Sequence, residues 1–310
     1  MPLPTCLLIA VVGSGTRPSL TSALCAREAA RHGQHMLCAG VTLDPYNPNG
    51  ENVGDLLKAA HPLGFAGLHI DGPFQELVIE HLDELAPEAR RLGAANIVVY
   101  RGGRTIGHNT EVTGFAKSFS RGLPEASTRR IVQFGAGRTG AAAAHALLTL
   151  GTDQLTVVDS DPARAIALTR KLNQDFGNER ATAARPDDLA GALARADGVV
   201  NAEPANADPA VTWHKGPLRP SLWVAEPAHQ TQATALVRAA CEAGCRVLHG
   251  GHTAAFQASD SLRLLSGLEP RAGRMLADVD VLLRERCRKV EVTDTSERES
   301  ISPSATRPTF

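Results

Sequence analysis

The chain has 310 residues, of which 43% are hydrophobic and 21% charged, so it is long enough for two domains with buried cores. Its 32 Lys and Arg residues are balanced by 33 Asp and Glu residues, which leaves no positive surplus to attract nucleic acid or an anionic membrane surface. No apolar run approaches the roughly 20 residues of a membrane span, and six scattered cysteines without a Cys-x-x-Cys pair favour a reducing cytoplasm.

The first part of the chain alternates short apolar strands with helices, which predicts an α/β domain with a mostly parallel sheet covered on both faces. The predicted elements, in chain order, are a strand and turn over 11–15, a helix over 22–32, a strand over 67–70, a helix over 73–86, a strand over 95–100 and its hairpin partner over 105–109. A further helix begins near Glu111 and ends before Pro124, where we place the interdomain link.

The remainder of the chain divides into three predicted parts. Residues 125–253 are predicted to form a doubly wound, Rossmann-type dinucleotide-binding domain. Helices over 254–288 are expected to return to the first domain, which comprises residues 1–124. Residues 289–310 are rich in Ser, Thr and Glu without apolar periodicity, and they predict a disordered tail.

A glycine-rich fingerprint opens the second domain. The predicted strand 131–134 runs into Gly135-Ala136-Gly137-Arg138-Thr139-Gly140, which is followed by an Ala-rich helix. Gly135 permits the tight turn, Gly137 lets the backbone approach a pyrophosphate, and Gly140 lets helix and strand pack closely. The free N–H groups at the helix N-terminus favour phosphate. The pattern predicts a dinucleotide site, with a purely structural glycine turn as the alternative.

An acidic residue refines this prediction. Asp159 ends the second strand of the unit, 24 positions after Gly135. A carboxylate there binds the adenosine ribose hydroxyls and repels a 2′-phosphate. The sequence therefore predicts NAD as the cofactor, rather than NADP.

Several short motifs together resemble the shikimate/quinate dehydrogenase family over roughly residues 7–285. They are Gly13-Ser14-Gly15 with Ser19-Leu20-Thr21, Gly64-Phe65-Ala66-Gly67-Leu68, Leu82-Asp83-Glu84, Gly93-Ala94-Ala95-Asn96, Gly107-His108-Asn109-Thr110-Glu111, Gly135-Ala136-Gly137, Arg164-Ala165, Asp197-Gly198-Val199-Val200-Asn201-Ala202, and Gly250 with Gln257-Ala258. The sequence Asp159-Ser160-Asp161 is similar to the NAD-using quinate/shikimate branch.

The resemblance implies a fold, an activity and a set of site residues. Such enzymes pass hydride between C3 of a cyclohexene or cyclohexane carboxylate and a nicotinamide, so residues 1–124 would bind a small cyclic polyol. Substrate contacts are then implied for Ser19, Thr21, Asn96 and Gln257. Cofactor contacts are implied for Gly135, Gly137, Arg138, Thr139, Gly140, Asp159, Arg164, Asn201 and Gly250. The expected assembly is a monomer or a homodimer.

The family's proton-handling positions are altered. The matching signature is Asn-x-Thr-x-Pro-x-Lys, and here Gln75 replaces its Lys, Asp71 replaces its Thr, and Glu111 replaces a later Asp. A Gln side chain has no titratable proton and cannot act as a general acid or base. Glu111 keeps a carboxylate, one methylene further out, that serves either as a lone base or as the N-terminal charge of its helix.

Three interpretations remain open for this altered site. One is an NAD-dependent oxidoreductase with an altered substrate or low activity, and another is an inactive NAD- or metabolite-binding relative with a regulatory role. The third is a fully active quinate or shikimate dehydrogenase that uses Glu111 and a bound water in place of the lysine. His229 stands near a Tyr position of the family and is a candidate substitute acid or base beside the substrate. His249 and His252 favour a structural strand end over a metal site, so no metal is expected.

Overall fold

The computed structural model describes residues 6–13, 19–43, 51–177, 179–185, 188–203, 218–228 and 233–282. Its strands are β1 (Cys6–Gly13), β2 (His35–Thr42), β3 (Gly67–Ile70), β4 (Glu84–Leu85), β5 (Ile97–Arg101), β6 (Arg104–His108), β7 (Arg130–Phe134), β8 (Gln154–Val158), β9 (Ala181–Ala183), β10 (Gly198–Asn201), β11 (Trp223–Ala225) and β12 (Arg246–Leu248). Its helices are α1 (Leu20–Arg31), α2 (Glu51–Ala60), α3 (Phe74–Leu77), α4 (Pro87–Leu92), α5 (Thr110–Gly122), α6 (Arg138–Thr149), α7 (Pro162–Phe176), α8 (Leu189–Arg195), α9 (Ala235–Glu242) and α10 (Gly250–Ser266).

The first sheet has the strand order β2-β1-β3-β5-β6-β4. Strand β5 runs antiparallel to both of its neighbours, whereas β2, β1, β3, β6 and β4 share one direction, so the mostly parallel sheet is confirmed. Apolar side chains pack on both faces, with α1 and α10 on one face and α2 and α3 on the other. The carboxyl ends of β1 and β3 therefore open toward the N-terminus of α1.

The second sheet is wholly parallel, with the order β12-β11-β10-β7-β8-β9. This is the doubly wound order, in which the chain reverses direction across the sheet between β7 and β10. Ligands of such sheets bind in the crevice outside the carboxyl ends of the strands at that reversal. The predicted α/β fold class is confirmed, and the glycine-rich turn after β7 lies at this crevice.

The chain returns to the first sheet through α10 and a helical segment over 272–282. Glu28 of α1 is fully buried and accepts hydrogen bonds from Arg274 Nη2 at 2.6 Å and from the Arg271 N–H at 2.9 Å. Burial alone raises the pKa of Glu28, but these bonds outweigh it and the pKa lies below its ordinary value. Asp278, in the returning segment, is paired with Arg31 of α1. The returning segment is therefore fixed to α1 by charge as well as by apolar packing.

The predicted helix over 73–86 is wrong in its second half. Helix α3 ends at Leu77, a 3-10 turn covers Val78–His81, and Glu84 then pairs as a strand with Ile106 of β6. Asp83 accepts hydrogen bonds from the N–H and the hydroxyl of Thr105, which fixes the start of that pairing. A partner more than 20 residues away thus overrides local helix propensity.

None of the described helices is long and apolar enough to cross a membrane. The described cysteines carry free thiols, and they are Cys6, Cys25, Cys38, Cys241 and Cys245. The predicted tail lies outside the described residues.

One buried histidine in α6 predicts a pH effect on stability. His145 is 3% exposed, packs edge-on against Phe176, and has no hydrogen-bond partner at either ring nitrogen among the described residues. Burial lowers its pKa, so the unfolded chain binds the proton more readily than the folded one. The free energy of unfolding is therefore highest above about pH 6.5, the pKa of a histidine in the unfolded chain. It decreases as the pH falls below that value, because the unfolded chain then takes up a proton that the folded chain does not.

Replacing His145 by Leu is therefore expected to flatten the fall in melting temperature between pH 8 and pH 5.5. It should also raise the stability at pH 8 by about 1 kcal/mol, because two unsatisfied buried atoms are removed. The matched control is His35→Leu, since His35 is exposed on β2. Thermal unfolding at both pH values makes the comparison, and an unchanged slope in His145→Leu would contradict this explanation.

Candidate active site

The buried Gln75 and the half-buried Glu111 form a hydrogen-bonded pair that joins α3 to α5. Gln75 Nε2 donates to Glu111 Oε1 at 3.0 Å and to the backbone carbonyl of Ile70 at 3.1 Å. Gln75 is 2% exposed, and Gly72, at φ 62°, makes the turn that precedes α3. The two altered family positions are thus brought together, and the longer side chain of Glu111 does not break their contact.

The N-terminus of α5 is held rigidly, which fixes Glu111. Asn109 caps the helix, its side-chain oxygen accepting from the N–H groups of Glu111 and Val112. Asn96 is fully buried, accepts from the Thr110 N–H at 2.8 Å and donates to the Thr110 hydroxyl at 3.0 Å. Asn96 therefore positions the helix that carries Glu111, and its predicted contact with a substrate hydroxyl stays a prediction.

Asp71 follows β3 directly, and its side chain is 43% exposed. Its Oδ1 lies 3.5 Å from Nε2 of the buried His69, which points to the same face of the strand. No role for His69 was predicted from the sequence. Its contact with Asp71 could have been predicted, because His69 is a polar residue in an otherwise apolar strand and lies two residues before Asp71.

A cleft of about 360 Å³ separates the two sheets. Its walls are formed by helices and a loop that pack around the two sheets, and the lining residues are Leu20, Thr21, Glu111, Phe115, Thr139, Ala142, Ala143, Pro227, Ala228, Gly250, Thr253, Ala254 and Gln257. Gly114 lets α5 and α10 approach closely, because a Cβ there would lie 2.8 Å from the backbone nitrogen of Gln257. Candidate substrate residues and candidate cofactor residues therefore share one space.

Ser19 and Thr21 lie at the N-terminus of α1, at the first-sheet side of this cleft. Ser19 caps the helix by accepting from the Ser22 N–H at 3.0 Å, and Thr21 faces the cleft. The hydroxyls and the helix N-terminus favour an anionic group such as a carboxylate. His229, the remaining candidate on the substrate side, lies outside the described residues.

The glycine-rich turn fits a dinucleotide. A Cβ at Gly140 would lie 2.1 Å from the Gly135 carbonyl oxygen, so only glycine lets the helix pack against the turn at that position. A Cβ at Gly137 would meet nothing within 4 Å, which leaves space beside the backbone for a ligand. Gly137 caps α6 without a side-chain hydrogen bond, which leaves the N–H groups of that helix free for a phosphate. Gln133, whose importance the sequence analysis missed, donates to the carbonyls of Gly135 and Gly140 and holds this shape.

Asp159 stands beside the same turn. Its Oδ2 accepts from the Ala136 N–H at 2.7 Å and its Oδ1 from the Asp161 N–H at 2.9 Å, and only 8% of the residue is exposed. The Ser160 hydroxyl also lies 3.5 Å from Oδ1, whereas Oδ2 retains a lone pair for a ribose hydroxyl. Arg138 is exposed at the start of α6, and Arg164 lies 3.5 Å from Asp161 on the surface.

Asn201 ends β10 on the other side of the strand reversal. Its Nδ2 donates to Glu226 Oε1 at 2.9 Å, and Glu226, which is 5% exposed, also accepts from the Thr234 hydroxyl at 2.5 Å. Gly250 begins α10 at the cleft wall. Among the described residues no group of three His, Cys, Asp or Glu side chains is arranged to hold a metal ion.

Comparisons with known proteins agree with this geometry. Residues 11–98 match the shikimate dehydrogenase substrate binding domain, and residues 131–213 match the saccharopine dehydrogenase NADP binding domain. A shikimate dehydrogenase (NADP(+)) from Streptomyces avermitilis is 51% identical over 274 residues, 88% of this chain and 94% of the relative. A quinate/shikimate dehydrogenase (NAD(+)) from Corynebacterium efficiens is 39% identical over 87% of this chain and 96% of its own length.

Among solved structures, quinate dehydrogenase from Corynebacterium glutamicum in complex with NAD superposes with a TM-score of 0.80. It is 36% identical, and the match covers 88% of this chain and 98% of that one. These similarities extend over both sheets and the cleft between them, and they confirm the resemblance seen in the motifs. The chain therefore belongs to the shikimate/quinate dehydrogenase family of NAD(P)-binding oxidoreductases.

Proposed function

We propose that this protein transfers hydride between NAD and a ring hydroxyl of a cyclic polyol, with Glu111 as its proton acceptor. The observation that carries the proposal is the hydrogen bond from the buried Gln75 to Glu111, which lines a cleft that also reaches Thr139 and Gly250. A carboxylate so held can accept a proton from a bound hydroxyl, and bound NAD supplies the hydride acceptor.

The described residues around the cleft are proposed to bind the substrate, to position Glu111 and to exclude water. Thr21 and Ser19 bind the substrate carboxylate, and Gln257 binds a ring hydroxyl from the opposite wall. Gln75 positions the Glu111 carboxylate, because its Nε2 is anchored to the Ile70 carbonyl and donates its other hydrogen to Glu111. The apolar residues Phe115 and Ala254 exclude water from the reacting carbon.

Low activity on shikimate and quinate is the second part of the proposal. A lysine at position 75 could exchange a proton and stabilise a developing alkoxide, whereas the amide of Gln75 can do neither. Asp71 adds a negative charge at the adjacent strand end, which opposes an anionic substrate. Selection for a substrate other than shikimate or quinate would account for both changes.

The experiment is a screen for NAD reduction over quinate, shikimate, aminoshikimate and uncharged cyclitols at saturating NAD. Turnover of at least one polyol, abolished when NAD is omitted, is the expected result. Calorimetry with NAD accompanies the screen. Tight NAD binding without turnover of any polyol would contradict the proposal and favour the inactive, regulatory relative.

The cofactor preference gives a separate prediction. Because the Asp159 carboxylate would lie beside a 2′-phosphate, NAD should bind more tightly than NADP. Asp159→Asn should narrow the ratio of the two dissociation constants by roughly tenfold, or about 1.4 kcal/mol. Asp161→Asn is the matched control, since Asp161 is half-exposed and Asn also caps a helix well. Equal affinity for NAD and NADP in the unmutated protein would rule out this role for Asp159.

A further inference from the structure

Gln133 is a buried amide in the middle of the second sheet. It lies in β7 between Val132 and Phe134, and none of its surface is exposed. A strand covered on both faces ordinarily carries apolar side chains, because a buried amide is unfavourable unless its polar atoms are hydrogen-bonded. The Gln133 amide is only half satisfied, since its Oε1 atom is buried and has no hydrogen-bond partner among the described residues. Stability of the fold therefore does not by itself account for a glutamine at this position.

The two hydrogens of this amide connect the two ends of the glycine-rich turn. Gln133 Nε2 donates to the Gly135 carbonyl, where the turn begins, and to the Gly140 carbonyl in the first turn of α6, both at 2.9 Å. Reversing the amide would place its oxygen against those two carbonyl oxygens, so its orientation is fixed. One side chain thus sets the distance between the end of the strand and the start of the helix.

The turn needs such a constraint, because its glycines confer conformational freedom. Gly135 has φ 92°, and a Cβ at Gly137 would meet nothing within 4 Å, so packing does not confine the turn at that point. From the neighbouring strand, Asp159 Oδ2 accepts from the Ala136 N–H at 2.7 Å. Gln133 therefore holds the turn from within and Asp159 holds it from outside, next to the N–H groups that begin α6.

An anion at a helix N-terminus is bound by several N–H groups at once, so their common orientation determines its affinity. We propose that Gln133 is a positioning residue for the cofactor pyrophosphate, which fixes the glycine-rich turn in its phosphate-binding shape before the dinucleotide arrives. Binding then does not have to order the turn, and pre-organisation of this kind raises affinity. The inference goes beyond the proposed function, because it concerns the binding of NAD and holds whether or not a polyol is oxidised.

The test is a calorimetric titration of Gln133→Met, which keeps the length of the side chain and removes both donor hydrogens. NAD and ADP-ribose contain the pyrophosphate, whereas adenosine contains only the part proposed to reach Asp159. The variant is expected to bind NAD and ADP-ribose at least about tenfold more weakly, and adenosine within about threefold of the unmutated protein. Unchanged NAD affinity would overturn the inference. An equal loss for adenosine would overturn it too, because that loss reports damage to the whole domain.

Gln34→Met is the matched control. Gln34 is also a buried glutamine, 5% exposed, whose Oε1 has no partner among the described residues, but it lies between α1 and β2 beside the first sheet. This variant should bind NAD as the unmutated protein does. For any polyol that the protein oxidises, Gln133→Met should raise KM for NAD and leave kcat at saturating NAD unchanged. A fall in kcat with an unchanged KM for NAD would contradict the assigned role.

Hydrogen exchange on the unmutated protein decides the matter if Gln133→Met does not fold. A turn that is already in its binding shape should protect the Ala136 N–H equally without and with NAD, since that N–H donates to Asp159 within the turn. Protection that develops only when NAD is added would overturn the inference, because the cofactor would then order the turn.

Discussion

Glu111→Gln is expected to lower kcat for the best polyol by about 10²- to 10⁴-fold, because it removes the group proposed to accept the hydroxyl proton. The change preserves shape, and the new side chain can still accept from Gln75 Nε2 through its amide oxygen. The fold and the dissociation constant for NAD should therefore stay unchanged. The loss should appear mainly in kcat, since proton transfer occurs in the transition state.

Two controls accompany this variant. Glu242→Gln removes the same charge on the exposed face of α9 and should leave kcat unaltered. Glu111→Asp keeps a carboxylate and should retain more activity than Glu111→Gln. If Glu111→Gln keeps its rate within roughly threefold of the unmutated protein, the proton is taken by another group and the assignment fails.

Gln75→Lys is expected to raise kcat/KM for shikimate by at least about tenfold, yet short of the full 10²- to 10⁴-fold that acid–base assistance supplies. A lysine ammonium could replace both hydrogen bonds of Gln75, to the Ile70 carbonyl and to Glu111, and would keep a third N–H for the substrate. The gain is partial because Asp71 still places negative charge beside the anionic substrate.

The triple variant Gln75→Lys, Asp71→Thr, Glu111→Asp tests whether these groups act as one site. Gln75 and Glu111 share a hydrogen bond, and Asp71 is proposed to act on the same bound substrate, so the triple should gain more than the summed effects of the three single changes. Steady-state kinetics on all four variants at saturating NAD makes the comparison. Strict additivity would show that the three positions act independently, against the single site proposed for them.

The parts of the fold predicted from the sequence are those with strong local signals. The strand, glycine turn and helix from Ile131 to Leu150 have a fixed spacing, and the hairpin around Gly102 has a distinct turn. Strand β2 and helix α2 were missed. The sequence His35-Met36-Leu37-Cys38-Ala39-Gly40-Val41-Thr42 lacks the alternation of apolar and polar residues typical of a half-buried strand, and at this sheet edge none of its residues is fully buried.

The site could be predicted only in part for a related reason. Gln75 and Glu111 are separated by 36 residues, so their contact depends on the packing of α3 against α5, and only the family resemblance drew attention to the pair. The structure adds side-chain orientations and contacts that the spacing of residues along the sequence does not predict. It shows the orientation of the Gln75 amide, the proximity of His69 to Asp71, and the part of Gln133 in shaping the glycine turn.

The most direct test of the account is the kcat/KM of the unmutated protein for shikimate and quinate at saturating NAD. Because Gln75 cannot exchange a proton and Glu111 works without a lysine, the value should lie well below the ordinary enzyme range, which begins at about 10⁴ M⁻¹s⁻¹. The residual turnover should disappear in Glu111→Gln. A value at or above about 10⁴ M⁻¹s⁻¹ for either substrate would contradict the account, because it would show that this site needs no lysine for ordinary turnover.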